Sequence, residues 1–441
     1  MTVPAAPDLV RARLDAAPMS TTQSLAVAIA FLLSALDGFD VLSVTFVAPA
    51  IIKAWHVEKG ALGVLLSAGL AGMAAGAFIL APIADLAGRK VMVLVALGLM
   101  AAGMALSAGA GSLEQLIAWR VVTGVGIGSC VAVINPIATE FANARRRPLT
   151  ISVMALGYPV GGVVGGLLAA VLLRHYGWQA VFAAGAIGAL IMIPAVLLLL
   201  PESIAYLVSR KGSLEQLNAV LVRCDQPPLD AWPEESAVAK RGYSALFTRE
   251  QAAATVWLVC ITMLFTFPVY FVLSWLPQMI AEMGFASSTA SLASAVASMA
   301  GVAGGLVLGW RAQRGGLRWL TSGGMVGLGL ATSLFGVTPP HLPMLMAMAA
   351  ACGFFLFGAS CGSFATAATT FKDEARAAGS GFVSGAGRVS SAIAPAAAGW
   401  LFAAGFDRAV VSSIFGGFAI AAGAILYFGW GRFRPAQHRL R

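Results

Sequence analysis

The stretch Ser24-LAVAIAFLLSALDGFDVLSVTFV-Ala48 runs for 25 mostly apolar residues with no charge except two aspartates, Asp37 and Asp40, set inside it. About 20 apolar residues are needed to cross a bilayer as a helix. A charged side chain at that depth costs about 2.5–3.5 kcal/mol on insertion scales. A long apolar helix that keeps two acids reads as a membrane span with a job. Gly38 and Phe39 lie between the acids, and Asp37 and Asp40, three residues apart, share one helical face.

Outward from this stretch the same pattern repeats. Apolar runs occupy 24–48, 62–84, 91–110, 116–140, 149–173 and 178–200, then 254–280, 288–310, 318–338, 342–370, 378–404 and 409–431. They predict an all-α membrane protein of twelve transmembrane helices in two six-helix halves. The expected organisation is a tail over 1–23, a first half over 24–200, a polar central loop over 201–253, a second half over 254–431 and a tail over 432–441. Composition agrees. Only 11 % of residues are charged and 59 % are hydrophobic, with a mean hydropathy of +0.86, where a soluble chain carries about a quarter charged. The first apolar run is long enough to span, so it is expected to be a retained helix, not a signal peptide.

The net charge of +9 does not point to nucleic acid. The basic residues sit in short clusters between apolar runs and form no continuous patch. With the N-terminus inside, cytoplasmic segments hold 22 of the 28 basic residues and outer loops hold only Lys53, Lys59, Arg174 and Arg408. That asymmetry predicts both termini in the cytoplasm. The five cysteines show no disulfide or zinc spacing, and the four histidines fall in loops or the tail. Neither a metal site, a cofactor nor a catalytic constellation is expected, so the chain reads as a transporter and not an enzyme.

Two basic residues, Arg120 and Arg388, remain inside spans. Two acids and two bases in helix interiors suggest one shared polar cavity. Two close carboxylates in a desolvated site do not both ionise cheaply, which suits Asp37 and Asp40 to proton coupling. The bland reading is an acid paired with an arginine to fix packing. Arg388, flanked by Gly385, Gly387 and two serines, suits a bidentate hold on a substrate carboxylate, or a structural pairing with an aspartate. Arg120 opens Arg120-Val-Val-Thr-Gly124-Val-Gly126-Ile-Gly128 and fits either role; the glycines offer a flat face for close packing. Aromatic residues gather at Phe265–Trp275 and Phe354–Phe357. Tyr270 and Trp275 are the pair chosen to stack on a flat ligand, because Ser274 and Pro277 make their helix irregular. Packing is the ordinary use of such residues. An internal echo, Ala138-Thr-Glu140-Phe against Ala368-Thr-Thr-Phe371, each before a short charged turn and a Gly-rich helix, suggests two related halves.

Ala81-Pro-Ile-Ala-Asp85-Leu-Ala-Gly88-Arg89-Lys90 resembles the signature loop of the major facilitator superfamily. The Arg120 run is similar to its fourth-span motif, and Pro201-Glu202-Ser203 before Tyr206-Leu207 to another common element. Leu36-Asp37-Gly38-Phe39-Asp40 with Pro49-Ala-Ile51, Ser274-Trp275-Leu276-Pro277, and Arg376-Ala-Ala-Gly379…Gly385-Ala-Gly387-Arg388 resemble the aromatic acid:proton symporters of that superfamily. The resemblance implies proton-driven import of a benzoate-like or hydroxybenzoate-like carboxylate by alternating access, through a monomer in a bacterial inner membrane. It implies coupling roles for Asp37 and Asp40, and a conformational latch of Asp85 and Arg89 with Glu140, Arg145, Glu202 and Arg376. The loop departs from the pattern at Ala81 and Leu86, and its second-half counterpart, Trp310-Arg311-Ala-Gln-Arg314, has no acid. The alternatives are proton-coupled efflux by the same fold, against which Gly157-Tyr-Pro-Val-Gly161-Gly counts, and an aromatic-acid sensor that moves nothing.

Overall fold

A computed structural model describes residues 6–209, 213–232, 246, 248, 251–313, 316–371 and 376–433. Among them every regular element is a helix. In chain order these are α1 (Ala6–Ala16), α2 (Thr21–Trp55), α3 (Lys59–Ile79), α4 (Ala81–Ala87), α5 (Arg89–Ala108), α6 (Leu113–Phe141), α7 (Arg147–His175), α8 (Gln179–Leu199), α9 (Ile204–Ser209) and α10 (Leu214–Arg223). The second half follows as α11 (Ala252–Glu282), α12 (Ser287–Gln313), α13 (Leu317–Val337), α14 (Leu342–Thr370), α15 (Arg376–Ala403) and α16 (Arg408–Phe433). Among the described residues eleven helices are long and apolar enough to cross a membrane. The expected span at 378–404 is formed by α15. That helix falls outside the eleven because Arg388 and its many glycines and serines lower its hydropathy.

The helices outrun the apolar runs. Helix α2 has 35 residues, about 50 Å at about 1.5 Å per residue, against about 30 Å of hydrocarbon. Its start is set by a capping box: the Ser20 hydroxyl accepts from the Gln23 amide at 3.2 Å, and the Gln23 side chain accepts from the Ser20 amide at 2.9 Å. The expected span 62–84 is divided at Leu80 into α3 and α4. Gly88, at φ 105°, then turns the chain into α5, a conformation in which only glycine is comfortable.

The two halves repeat one pattern of neighbours. In the first, α2 lies on α7, α3 on α6, α6 on α5 and α5 on α8; in the second, α11 lies on α15, α12 on α14, α14 on α13 and α13 on α16. Across the halves α3 packs on α15 and α12 on α7, again equivalent pairs. This agrees with the echo seen in the sequence. The α6 glycines serve two neighbours: Cβ atoms on Gly124 or Gly128 would strike the α3 backbone, and one on Gly126 the α5 backbone.

One end of the bundle is tied across the halves. There Lys59 Nζ pairs with Glu282 Oε2 at 3.1 Å, and the Ser67 hydroxyl accepts from the Ala396 amide at 2.9 Å. Pro395 interrupts the α15 ladder beside it, and its carbonyl accepts the Trp275 indole N–H at 3.1 Å. Ser291 donates to the Phe46 carbonyl at 3.2 Å.

The opposite, charged end carries a collar that the sequence reading treats as tail and loop. Val10 and Leu14 of α1, Ile204 and Leu207 of α9, and Leu217 and Leu221 of α10 are all buried in the first-half core. Arg11 donates to the carbonyls of Thr139 and Glu140 at 2.9 and 3.1 Å, and Asp15 pairs with Arg147.

Candidate functional site

The first-span acids are sealed inside the first half. Asp37 is 1 % exposed and Asp40 is fully buried. None of their four carboxyl oxygens has a hydrogen-bond partner among the described residues. Gly185 of α8 leaves the room that the Asp40 carboxyl occupies, since a Cβ there would lie 2.9 Å from Asp40 Oδ1. Gly38 brings α7 against α2, because a Cβ on it would run into the Tyr158 carbonyl.

Arg120, 1 % exposed, does not pair with either acid within salt-bridge distance. Its Nη2 donates to the Asp40 backbone carbonyl at 2.8 Å, and its Nη1 reaches the Ser43 hydroxyl and the Met104 sulfur, both at 3.3 Å. The guanidinium also lies over the Phe182 ring at 5.7 Å. These contacts tie α2 to α5, α6 and α8.

Arg388 differs. It is half-buried on α15, and among the described residues its guanidinium makes no hydrogen bond or ion pair. It lies within electrostatic reach of Asp37 and of Tyr270 on α11. Tyr158 of α7 joins the same group, within electrostatic reach of both Asp37 and Tyr270, with a buried hydroxyl that has no partner among the described residues. Its ring faces Phe357 of α14 at 6.3 Å. So Asp37 and Tyr158 from the first half lie within electrostatic reach of Tyr270 and Arg388 from the second. Phe357 also lines a narrow, mainly apolar crevice with Leu42, Leu276, Ser294, Ser298 and others.

Of the residues singled out in the sequence, Asp37, Asp40, Arg120, Tyr270 and Arg388 are brought to this central region. Trp275 is 1 % exposed, with its N–H engaged by Pro395 and its ring against Phe402 at 4.8 Å. Phe267 and Phe271 pack on Phe415 and Phe418 within the second half. Tyr158 was not singled out. Its only sequence signal is its place in Gly157-Tyr158-Pro159, a polar-tipped ring at a helix irregularity.

At the charged end, Arg89 Nη1 pairs with Glu140 Oε2 at 2.7 Å. Glu140 also accepts from the Ser203 hydroxyl at 2.8 Å and the Ala205 amide at 2.6 Å. Glu202 Oε1 accepts from the amides of Arg89, Lys90 and Ser203 at 2.9, 3.1 and 2.8 Å, so a carboxylate caps the N-terminus of α5. Among the described residues this network joins the first half to the start of the central loop and does not reach the second half. Arg145 is exposed and stands outside it. The side chains of Asp85 and Arg376 lie outside the described residues, as do Arg314 and the turn at Lys372–Asp373.

Residues 30–314 and 258–440 match the Major Facilitator Superfamily. The chain belongs to that superfamily. It is therefore a multi-pass membrane transporter and not an enzyme. Within the superfamily it is 28 % identical to the gallate transporter of Pseudomonas putida over 434 residues, 97 % of each chain. It is 29 % identical to the 4-hydroxybenzoate transporter PcaK of Acinetobacter baylyi over 388 residues, 86 % of this chain and 84 % of that one. Among solved structures, the partially occluded inward-open xylose transporter XylE of E. coli superposes with a TM-score of 0.72 at 16 % identity, over 96 % of this chain and all of that one. That likeness confirms the superfamily fold.

Proposed function

We propose that this protein imports an aromatic carboxylate by proton symport with alternating access. The observation that carries the reading is that, among the described residues, a partnerless buried acid of the first half, Asp37, lies within electrostatic reach of an unpaired cation of the second, Arg388. A substrate carboxylate answers the guanidinium in a bidentate fork, with Tyr270 and Tyr158 as further donors. The similarity to gallate and 4-hydroxybenzoate transporters supports the ring.

Coupling follows from the geometry. A substrate anion at Arg388 sits beside Asp37, and two negative charges in a desolvated site repel. A proton on Asp37 removes that repulsion, so anion and proton enter together. Asp40 offers a second proton-binding carboxyl one turn away. Arg120 braces α2 so that both acids keep their place. Trp275 backs the second-half wall, and the Arg89–Glu140–Glu202 network stiffens the charged end as the halves rock. No cofactor takes part beyond the coupling proton. The basic-residue asymmetry supports an orientation with both termini cytoplasmic, the similarity to bacterial transporters supports an inner membrane, and the reading takes the working unit as a monomer.

Uptake of labelled 4-hydroxybenzoate into proteoliposomes under an inward proton gradient tests this. Accumulation that collapses with a protonophore supports symport. Binding without accumulation would refute symport and identify a sensor, and proton-driven extrusion would identify efflux. Arg388→Ala should lower affinity at least about a hundredfold, the loss expected when a bidentate charged pair is removed. Unchanged affinity would remove Arg388 from the site.

A further inference from the structure

The crevice beside Tyr158 has two polar groups in an otherwise apolar wall, Ser294 and Ser298 of α12. They are four residues apart and share one helical face. Ser294 is 8 % exposed and Ser298 2 % exposed, and neither hydroxyl has a hydrogen-bond partner among the described residues.

Serines in apolar helices ordinarily fold back onto a carbonyl of the preceding turn. Ser291, Ser333, Ser360 and Ser413 all do so, each to the residue four positions earlier. Ser129, Ser322, Ser390 and Ser412 also lack partners among the described residues, but their hydroxyls are fully buried. Ser294 and Ser298 instead line the crevice with Leu42, Leu276 and Phe357.

The position of Ser298 is set by α7. It fills the space over Gly162, which lies one turn along from Tyr158, roughly 6 Å by the rise of a helix. That is close to the reach from a benzoate carboxyl carbon to an oxygen on the far side of its ring. A carboxylate held by Arg388 and the two tyrosine hydroxyls would direct the ring past Phe357 toward the serines.

We propose that Ser294 and Ser298 read a ring hydroxyl para or meta to the carboxylate, so that the substrate is a hydroxylated aromatic acid in preference to an unsubstituted one. This rests on the carboxylate site proposed above. The serines act as both donor and acceptor toward a phenol. A bare ring leaves them unanswered in an apolar wall, which sets the direction of the preference.

Equilibrium binding of benzoate, 4-hydroxybenzoate and 3,4-dihydroxybenzoate to the purified full-length protein in detergent tests the inference. The wild type should bind the hydroxylated acids about tenfold more tightly than benzoate, the worth of one buried hydrogen bond. In the S294A/S298A double variant that ratio should fall toward one, with benzoate bound at least as tightly as by the wild type because no unanswered hydroxyl then faces its ring. The single variants S294A and S298A, each lacking one oxygen, give the same reading should the double variant fold poorly. A wild-type ratio near one, or a ratio that survives in the variants, overturns the serine assignment while leaving the carboxylate site standing. Failure of the wild type to bind any of the three acids overturns the carboxylate site and this inference with it.

Discussion

Gly38 lies between the two acids, and its replacement by alanine separates their chemistry from their setting. A Cβ at Gly38 collides with the Tyr158 carbonyl oxygen and comes within 2.9 Å of both the carbonyl carbon and the Cα of Tyr158. Ordinary carbon contacts begin at about 3.5 Å, so α7 must retreat by about half an ångström or more. All three obstructing atoms are backbone, and no rotamer change relieves them. The reverse contact tightens the constraint, because Gly161 of α7 meets the Ala35 carbonyl of α2 in the same way. Overpacking of this kind costs about 1–3 kcal/mol. Gly98 of α5 provides the comparison, with nothing within 4 Å of its Cβ position; alanine there costs nothing and adds helix propensity. Gly38→Ala should therefore melt several degrees below the wild type in detergent and lose most of its transport, since Tyr158 is displaced from Asp37. Gly98→Ala should melt at or above the wild type and transport normally. A Gly38→Ala protein with wild-type melting and uptake would refute the close approach of α2 and α7.

Asp37→Asn should bind the substrate anion without a proton. Like charges about 5 Å apart at an effective dielectric of about 20 repel by about 3 kcal/mol, roughly a hundredfold in affinity. Counterflow should persist in this variant while uphill accumulation is lost; accumulation at the wild-type level would exclude Asp37 from coupling. Glu202→Gln removes the charge that caps two amides at the start of α5, those of Arg89 and Lys90. A loss of about 1–2 kcal/mol is expected, read as a lower melting temperature with substrate affinity retained. A change in affinity without a change in melting would contradict a bracing role.

Much of this was visible before any coordinates. Apolar runs of span length located the long helices, because in hydrocarbon a backbone must satisfy itself and the helix is the simplest way. Two acids and two arginines stood out because charge is costly there. The collar was not visible. The α1 and α10 helices are short and bury only one stripe each, Val10 with Leu14 and Leu217 with Leu221, a signal that vanishes among polar neighbours. The two arginines looked alike in sequence, and only their surroundings part them: Arg120 is consumed by a carbonyl, a hydroxyl and a ring, whereas Arg388 has none of these. Tyr158 escaped notice because an aromatic residue in a span is ordinarily packing. Trp275 was prominent for its motif, yet its ring and N–H are both occupied within the second half and at its border. Ser294 and Ser298 look like any other helix serines in sequence, and only their place on the crevice wall sets them apart.

The bond between Lys59 and Glu282 joins the halves at a rim open to water, with side chains 42 % and 35 % exposed. Such a pair contributes at most about 1 kcal/mol, and dissolved ions screen it over about 10 Å at 0.1 M. The composition of the bathing fluid thereby becomes a bias on the cycle: brine loosens this rim and dilute medium tightens it. Turnover measured at two ionic strengths would differ even with substrate and proton held constant, and charge removal at either residue would erase the difference.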